Sequence, residues 1–352
     1  MIKRSMKFLA TVALAGTVLA ACGQSDDQSS SSSDTASSSD DKLKVTTTVF
    51  PLQSFVEQIG GDHVDVESIY PKGADLHSFE PSQKDIINAT KSDLFVYTGD
   101  DLDPVSKKIA DAIDKDDQKL SLEDHINKSD LLADHHHHDH EHGEEADHEH
   151  DHDHGEEADH DHESEGAHDE HEHEHGTYDP HVWLDPKLDE TFVKEIRDDL
   201  SQRDPEHKDE YQKNADKLLK DLEGLDDDLK KATEGHKGHA VFISHESLGY
   251  LANRYGFEQK GVQGLNAEDP SQKELTNIVK EINDTGAKYI LYEQNVANKV
   301  TDTIRKETEA EPLKFNNMES VTKDQSKDAT FQSLMKENIK NIEKALDEKI
   351  KA

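Results

Sequence analysis

The 352-residue chain holds a single cysteine, Cys22. With no second thiol, disulfides and thiolate metal sites are excluded, so any metal must be held by nitrogen and oxygen. Aromatic residues make up only 5%, with one tryptophan, Trp183. Positive charge is scarce: 40 Lys and Arg stand against 79 Asp and Glu, a formal net charge of -39. Such an excess repels nucleic acid and anionic lipid head groups and attracts cations. Long apolar runs are missing as well. The exception is Phe8 to Ala21, which is short for a helix that crosses a membrane.

That run follows a basic start, Lys3, Arg4 and Lys7, and ends in Leu19-Ala20-Ala21-Cys22. Residues 1–21 therefore read as a targeting segment. The "LAAC" ending resembles the lipobox of bacterial lipoproteins, which implies cleavage before Cys22 and lipidation of its thiol. An ordinary signal peptide with a chance cysteine is the alternative. Residues 22–42 continue as a Ser- and Asp-rich stretch with almost nothing apolar, which predicts a disordered tether. About 20 flexible residues reach roughly 25 Å. A lipid and a tether together place a globular body at the outer face of a cell membrane.

From Leu43 the pattern changes. "LKVTTTVF", "VDVESIY" and "DLFVYTG" read as strands, and "PLQSFVEQIGG" and "EPSQKDIINATKS" as helices, the second opened by Pro81. Strand–helix–strand order predicts a parallel α/β lobe over 43–186. A helical region over 187–235 follows. Tyr211, Ala215, Leu218, Leu219, Leu222, Leu225 and Leu229 keep three- and four-residue spacing, and Asp204 with Pro205 reads as the start of that helix. A second α/β series over 236–352 starts at "HAVFIS", with a Ser271–Glu274 capping box, the strands "KYILY" and "EPLKF", and a terminal helix. The fold class expected is α/β: two Rossmann-like α/β lobes joined by one long helix, with any site in the interlobe cleft.

Residues 134–175 interrupt the first lobe. They carry no Lys, no Arg and almost nothing apolar beyond Ala, and "HGEEADH" occurs twice. This composition predicts a disordered loop. Of the 24 histidines, the loop holds a majority, among them His135, His136, His137, His138, His140, His142, His148, His150, His152, His154, His160 and His162. Such a segment binds zinc weakly, because each ion must order the chain around it. It reads as an accessory that collects zinc, or else as a tolerated polar insert.

Outside the loop, His63, His125, His207, His236 and His239 sit among charged residues or turns and read as solvated surface. Three remain. His77 follows a first-lobe strand and turn, His181 lies in the Pro-bounded "YDPHVWLDP", and His245 directly follows an apolar strand. Glu293 also follows a strand directly. Ligands of open α/β sheets bind beyond the carboxyl ends of strands. Three imidazoles and one carboxylate, two from each lobe, suit tetrahedral Zn²⁺ better than a harder ion such as Mn²⁺.

At these residues the chain resembles the zinc-binding receptor lipoproteins of bacterial ABC transporters, the zinc/manganese group of solute-binding proteins. The resemblance rests on "LAAC", "TTTVFPLQSFVEQIGGD", "GADLHSFEPS", the His-rich insert, "DPHVWLDP", "FISHESLGYLANRYGF", "GLNAEDPS" and "YILYEQN". It implies metal ligation by His77, His181, His245 and Glu293, with Zn²⁺ as the transported ligand. It also implies an ABC permease as partner, a monomer anchored through Cys22, no nucleic acid and no enzymatic turnover. Manganese-type relatives carry Glu at the position of His245, so His245 points to zinc. Some zinc receptors carry an extra C-terminal zinc-binding domain, for which no room is expected after the terminal helix. Three readings compete with a zinc receptor. A manganese receptor differs by ligand type, and a surface adhesin or metal-storage lipoprotein would depend on the loop. A zinc enzyme would leave Glu293 as a base and one position open for water.

Overall fold

The computed structural model describes residues 42–133, 178–294 and 299–349. The targeting segment, Cys22, the tether and the His-rich segment 134–175 lie outside the described residues.

In the first lobe the chain runs β1 (Leu43–Thr47), α1 (Phe50–Gly60), β2 (Val64–Ser68), α2 (Gln83–Thr90), β3 (Leu94–Tyr97), α3 (Pro104–Asp111) and β4 (Lys119–Ser121). The strands pair in parallel in the order β2-β1-β3-β4, with Val45 opposite both Val66 and Leu94. Pro81 does not open α2. Ser82 caps it in a reciprocal box with Asp85, whose carboxylate accepts from the Ser82 amide at 2.8 Å.

Two helices lead to the second lobe, α4 (Pro186–Arg203) and α5 (Lys208–Ala232). Asp185 caps α4 and also accepts from Arg254 of the second lobe at 2.6 Å. The expected start of α5 at Asp204 is not what forms. A short 3-10 turn occupies Pro205–His207, and the Asp204 carboxylate accepts from His207 and Tyr211 instead of capping a helix. At 1.5 Å per residue α5 is about 38 Å long. Its Tyr211, Ala215, Leu218, Leu222, Leu225 and Leu229 stripe is buried.

The second lobe runs β5 (Ala240–His245), α6 (Gly249–Tyr255), β6 (Glu258–Gln263), α7 (Gln272–Thr285), β7 (Tyr289–Glu293), α8 (Lys299–Glu307), β8 (Glu311–Phe315) and α9 (Phe331–Asp347). Its strands are again parallel, in the order β6-β5-β7-β8. Alternate residues serve opposite faces, as strand geometry requires. Val241, Ile243, Tyr289 and Leu291 join the large core shared with α1, α4 and α5, while Phe242 and Ile290 join a smaller cluster with Ile282 and Ile304. Gly256 stops α6 with φ of 80°, a left-handed conformation that costs glycine nothing. The terminal helix α9 bridges the lobes: Phe331 meets Phe55 of α1 edge to face at 5.1 Å, and its amide donates to Ser54 Oγ.

Candidate metal centre

Each group of the site stands at the carboxyl end of a strand or in the loop beyond it. His77 lies in the turn after β2, and His181 starts the 3-10 turn Val182–Leu184. His245 ends β5, and Glu319 lies beyond β8, next to Met318, a non-glycine residue with φ of 60°. His77, His181, His245 and Glu319 each offer a donor atom within 4.8 Å of the others. The imidazole centroids are 5.8, 4.9 and 5.0 Å apart.

His181 is fully buried. Its Nδ1 donates to Asp179 Oδ1 at 2.8 Å, which aims Nε2 at Glu319 Oε1, 3.7 Å away. Burial alone would lower its pKa, but the carboxylates of Asp179 and Glu319 outweigh that and push it up to about 10. His77 Nε2 lies 3.9 Å from the same Glu319 oxygen. Among the described residues, His181 Nε2 and Glu319 Oε1 are buried with no hydrogen-bond partner. Buried polar atoms are rarely left so, and atoms that face one another this way form a cradle for a cation.

Glu319 is held from both lobes. Its Oε2 accepts from the Leu76 amide at 2.8 Å, its carbonyl accepts from the Phe50 amide, and its own amide donates to Asn317 Oδ1. Burial opposes its ionisation, yet the nearby His181 and the charge of His77 bring its pKa below the usual range.

Glu293, the carboxylate that the sequence offers as fourth ligand, is not among the four groups whose donor atoms lie within 4.8 Å of one another. Its Oε2 accepts from His245 Nδ1 at 3.0 Å and from Asn317 at 3.2 Å, while Oε1 accepts from Ser247. It thus meets the Nδ1 edge of the His245 ring. There it orients the histidine and lowers its own pKa, since the charge of His245 outweighs the burial that would raise it. His245 Nε2 donates to the Leu265 carbonyl at 2.8 Å. With both ring nitrogens donating, His245 is doubly protonated. Its pKa is raised because the Glu293 charge exceeds the opposing effect of burial.

Glu319 had a signal in the sequence: it follows the strand "EPLKF", and the rule of strand carboxyl ends covers it. Glu293 stands nearer its own strand, and only the docking of the 316–321 loop on the first lobe distinguishes the two. Trp183 ties the same loop down, its indole donating to the Asn317 carbonyl at 2.7 Å.

Comparison with known proteins agrees with this architecture. The family model described as zinc-uptake complex component A, periplasmic (ZnuA), matches residues 45–345. The zinc-binding lipoprotein AdcA of Streptococcus pneumoniae is 30% identical over 313 residues, which cover 87% of this chain and 56% of that protein. The chain thus spans little more than half the length of these streptococcal relatives. The high-affinity zinc uptake system protein ZnuA of Bacillus subtilis is 30% identical over 343 residues, 96% of this chain and 97% of that protein. Among solved structures, the Zn(II)-bound ZnuA-like domain of S. pneumoniae AdcA is 25% identical with a TM-score of 0.66, covering 87% of this chain and 100% of that one. The periplasmic zinc binding protein TroA of Treponema pallidum shares the fold at 19% identity, with a TM-score of 0.69 over 87% of this chain and 100% of that one.

Proposed function

Because the chain belongs to the ZnuA family of zinc-uptake components, we propose that it is a receptor that captures Zn²⁺ outside the cell and delivers it to an ABC permease. The observation that carries this reading is the group His77, His181, His245 and Glu319. Three imidazoles and one carboxylate meet the tetrahedral preference of zinc and leave no position for a catalytic water. The Glu293 bond to Nδ1 of His245 leaves Nε2 as its donor, so loading requires the Leu265 carbonyl to move off that nitrogen. Manganese is disfavoured by the single carboxylate.

The remaining parts follow from the sequence. Lipid on Cys22 and the tether of 22–42 hold a monomer at the outer face of the membrane. Among the described residues no helix is long and apolar enough to cross a membrane. Segment 134–175 collects zinc weakly. The flanking residues support that reading, since Ala133 pairs with Tyr178 and the amide of Asp179, two residues before His181, donates to the Leu132 carbonyl.

A strain without the protein should grow poorly only when zinc is scarce, and zinc should restore growth. Restoration by manganese and not by zinc would overturn the assignment.

A further inference from the structure

A second set of donors lies away from the interlobe cleft, where the α1–β2 connection meets the α4–α5 junction. His63 and His207 read as solvated surface in the sequence. In the structure their rings stack, with centroids 3.6 Å apart and planes 21° from parallel. Each also meets a carboxylate: His63 Nε2 lies 3.1 Å from Glu210 Oε2, and His207 Nδ1 lies 2.7 Å from Asp204 Oδ2. One donor atom from each of His63, Asp204 and His207 lies within 4.8 Å of the other two.

We propose that His63, Asp204 and His207 form a second zinc site, with Glu210, which meets His63, turning in as the fourth donor. Two imidazoles and two carboxylates neutralise a dication and match zinc in ligand type. Asp204 is fixed in advance, because the buried Tyr211 hydroxyl donates to its Oδ2 at 2.6 Å. Tetrahedral zinc with bonds of 2.0–2.1 Å sets neighbouring donors about 3.3 Å apart, so the close pairs at 2.7 and 3.1 Å must open slightly while donors farther apart, all within 4.8 Å, draw in. The side chains have room to do this, since His63 is 25% and His207 39% exposed. The same exposure opens the site to solvent and makes it weaker than the buried interlobe group. An ion here would staple the first-lobe turn Gly61–His63 to the start of α5, two segments far apart in the chain.

The test is anomalous scattering on both sides of the zinc absorption edge, from crystals of the full chain grown with zinc. A peak is expected among His63, Asp204 and His207. It should be lost in the His63→Asn/His207→Asn double variant, while the interlobe peak remains. No peak at this group in crystals whose interlobe site is filled would overturn the proposal, as would a peak that the double variant keeps. The wild-type protein tests it again in solution with ¹⁵N-labelled histidine. Zinc added beyond the interlobe equivalent should shift the ring nitrogens of His63 and His207. Unmoved nitrogens at zinc levels that saturate the protein would also overturn it.

Discussion

Glu319 and Glu293 are equally acidic by type and both buried, yet they relate differently to the three imidazoles. Glu319 faces two of them directly, whereas Glu293 bonds to one at its Nδ1. Removing a partner that orients a metal-binding histidine typically weakens affinity about 10–100-fold. Glu293→Gln should fall in that range. Glu319→Gln should cost more, because it removes the only anionic donor from the group. Zinc titration against a competing chelator ranks the two variants. A larger loss for Glu293→Gln would return it to the position of direct ligand. Neither role can be assigned from residue type. Both glutamates follow strands, and what separates them is that the Leu76 amide of the other lobe fixes Glu319.

The strands and helices that carry the site are local in origin, and most of them are legible. The apolar strands β1, β3, β5 and β7 announce themselves by composition, and the Ser271–Glu274 box forms as expected. Strand β6 does not, since "EQKGVQ" is a polar edge strand without a clear period. The segment 134–175 is of another kind, with a composition that offers almost nothing apolar beyond Ala. The described residues that flank it meet, because Ala133 and Tyr178 are paired. Replacing it by a short linker, roughly tenfold fewer residues, lowers the entropy cost of loop closure by about 2 kcal/mol. Thermal stability should therefore hold or rise on deletion. One tight zinc should remain, together with the weaker one proposed at His63, Asp204 and His207, and the weak ones of the segment should vanish, as counted by calorimetric titration. Loss of the tight site would make the segment primary and favour the storage reading.

For the whole molecule, proton and zinc compete. Imidazole binds metal only when neutral. The His181 pKa is pushed up to about 10, so it is protonated at pH 7 without zinc, and that of His245 is raised in the same direction. Protonated His181 thus stabilises the zinc-free fold fully below its ordinary 6.5, and that stabilisation is lost as pH rises through about 10. Zinc affinity has the opposite sign. It should climb between these values, by about tenfold per pH unit for each proton displaced. Calorimetry at pH 7 in two buffers of different ionisation enthalpy should give different heats, because binding releases protons. Equal heats would mean that the imidazoles are already neutral. The chain's net charge of -39 adds a long-range attraction for the cation that salt should weaken.

The sequence by itself determined the two parallel α/β lobes, the long apolar stripe of α5 and the three histidines His77, His181 and His245. These follow from composition, period and position relative to strands, all of which act over a few residues. Tertiary structure alone decided that Glu319 joins them while Glu293 bonds to Nδ1 of His245, and that His63 and His207 stack on one another at the surface. The reason is the same in each case. A titratable side chain takes its role from the charges and amides that surround it, and here those come from segments that only folding brings together.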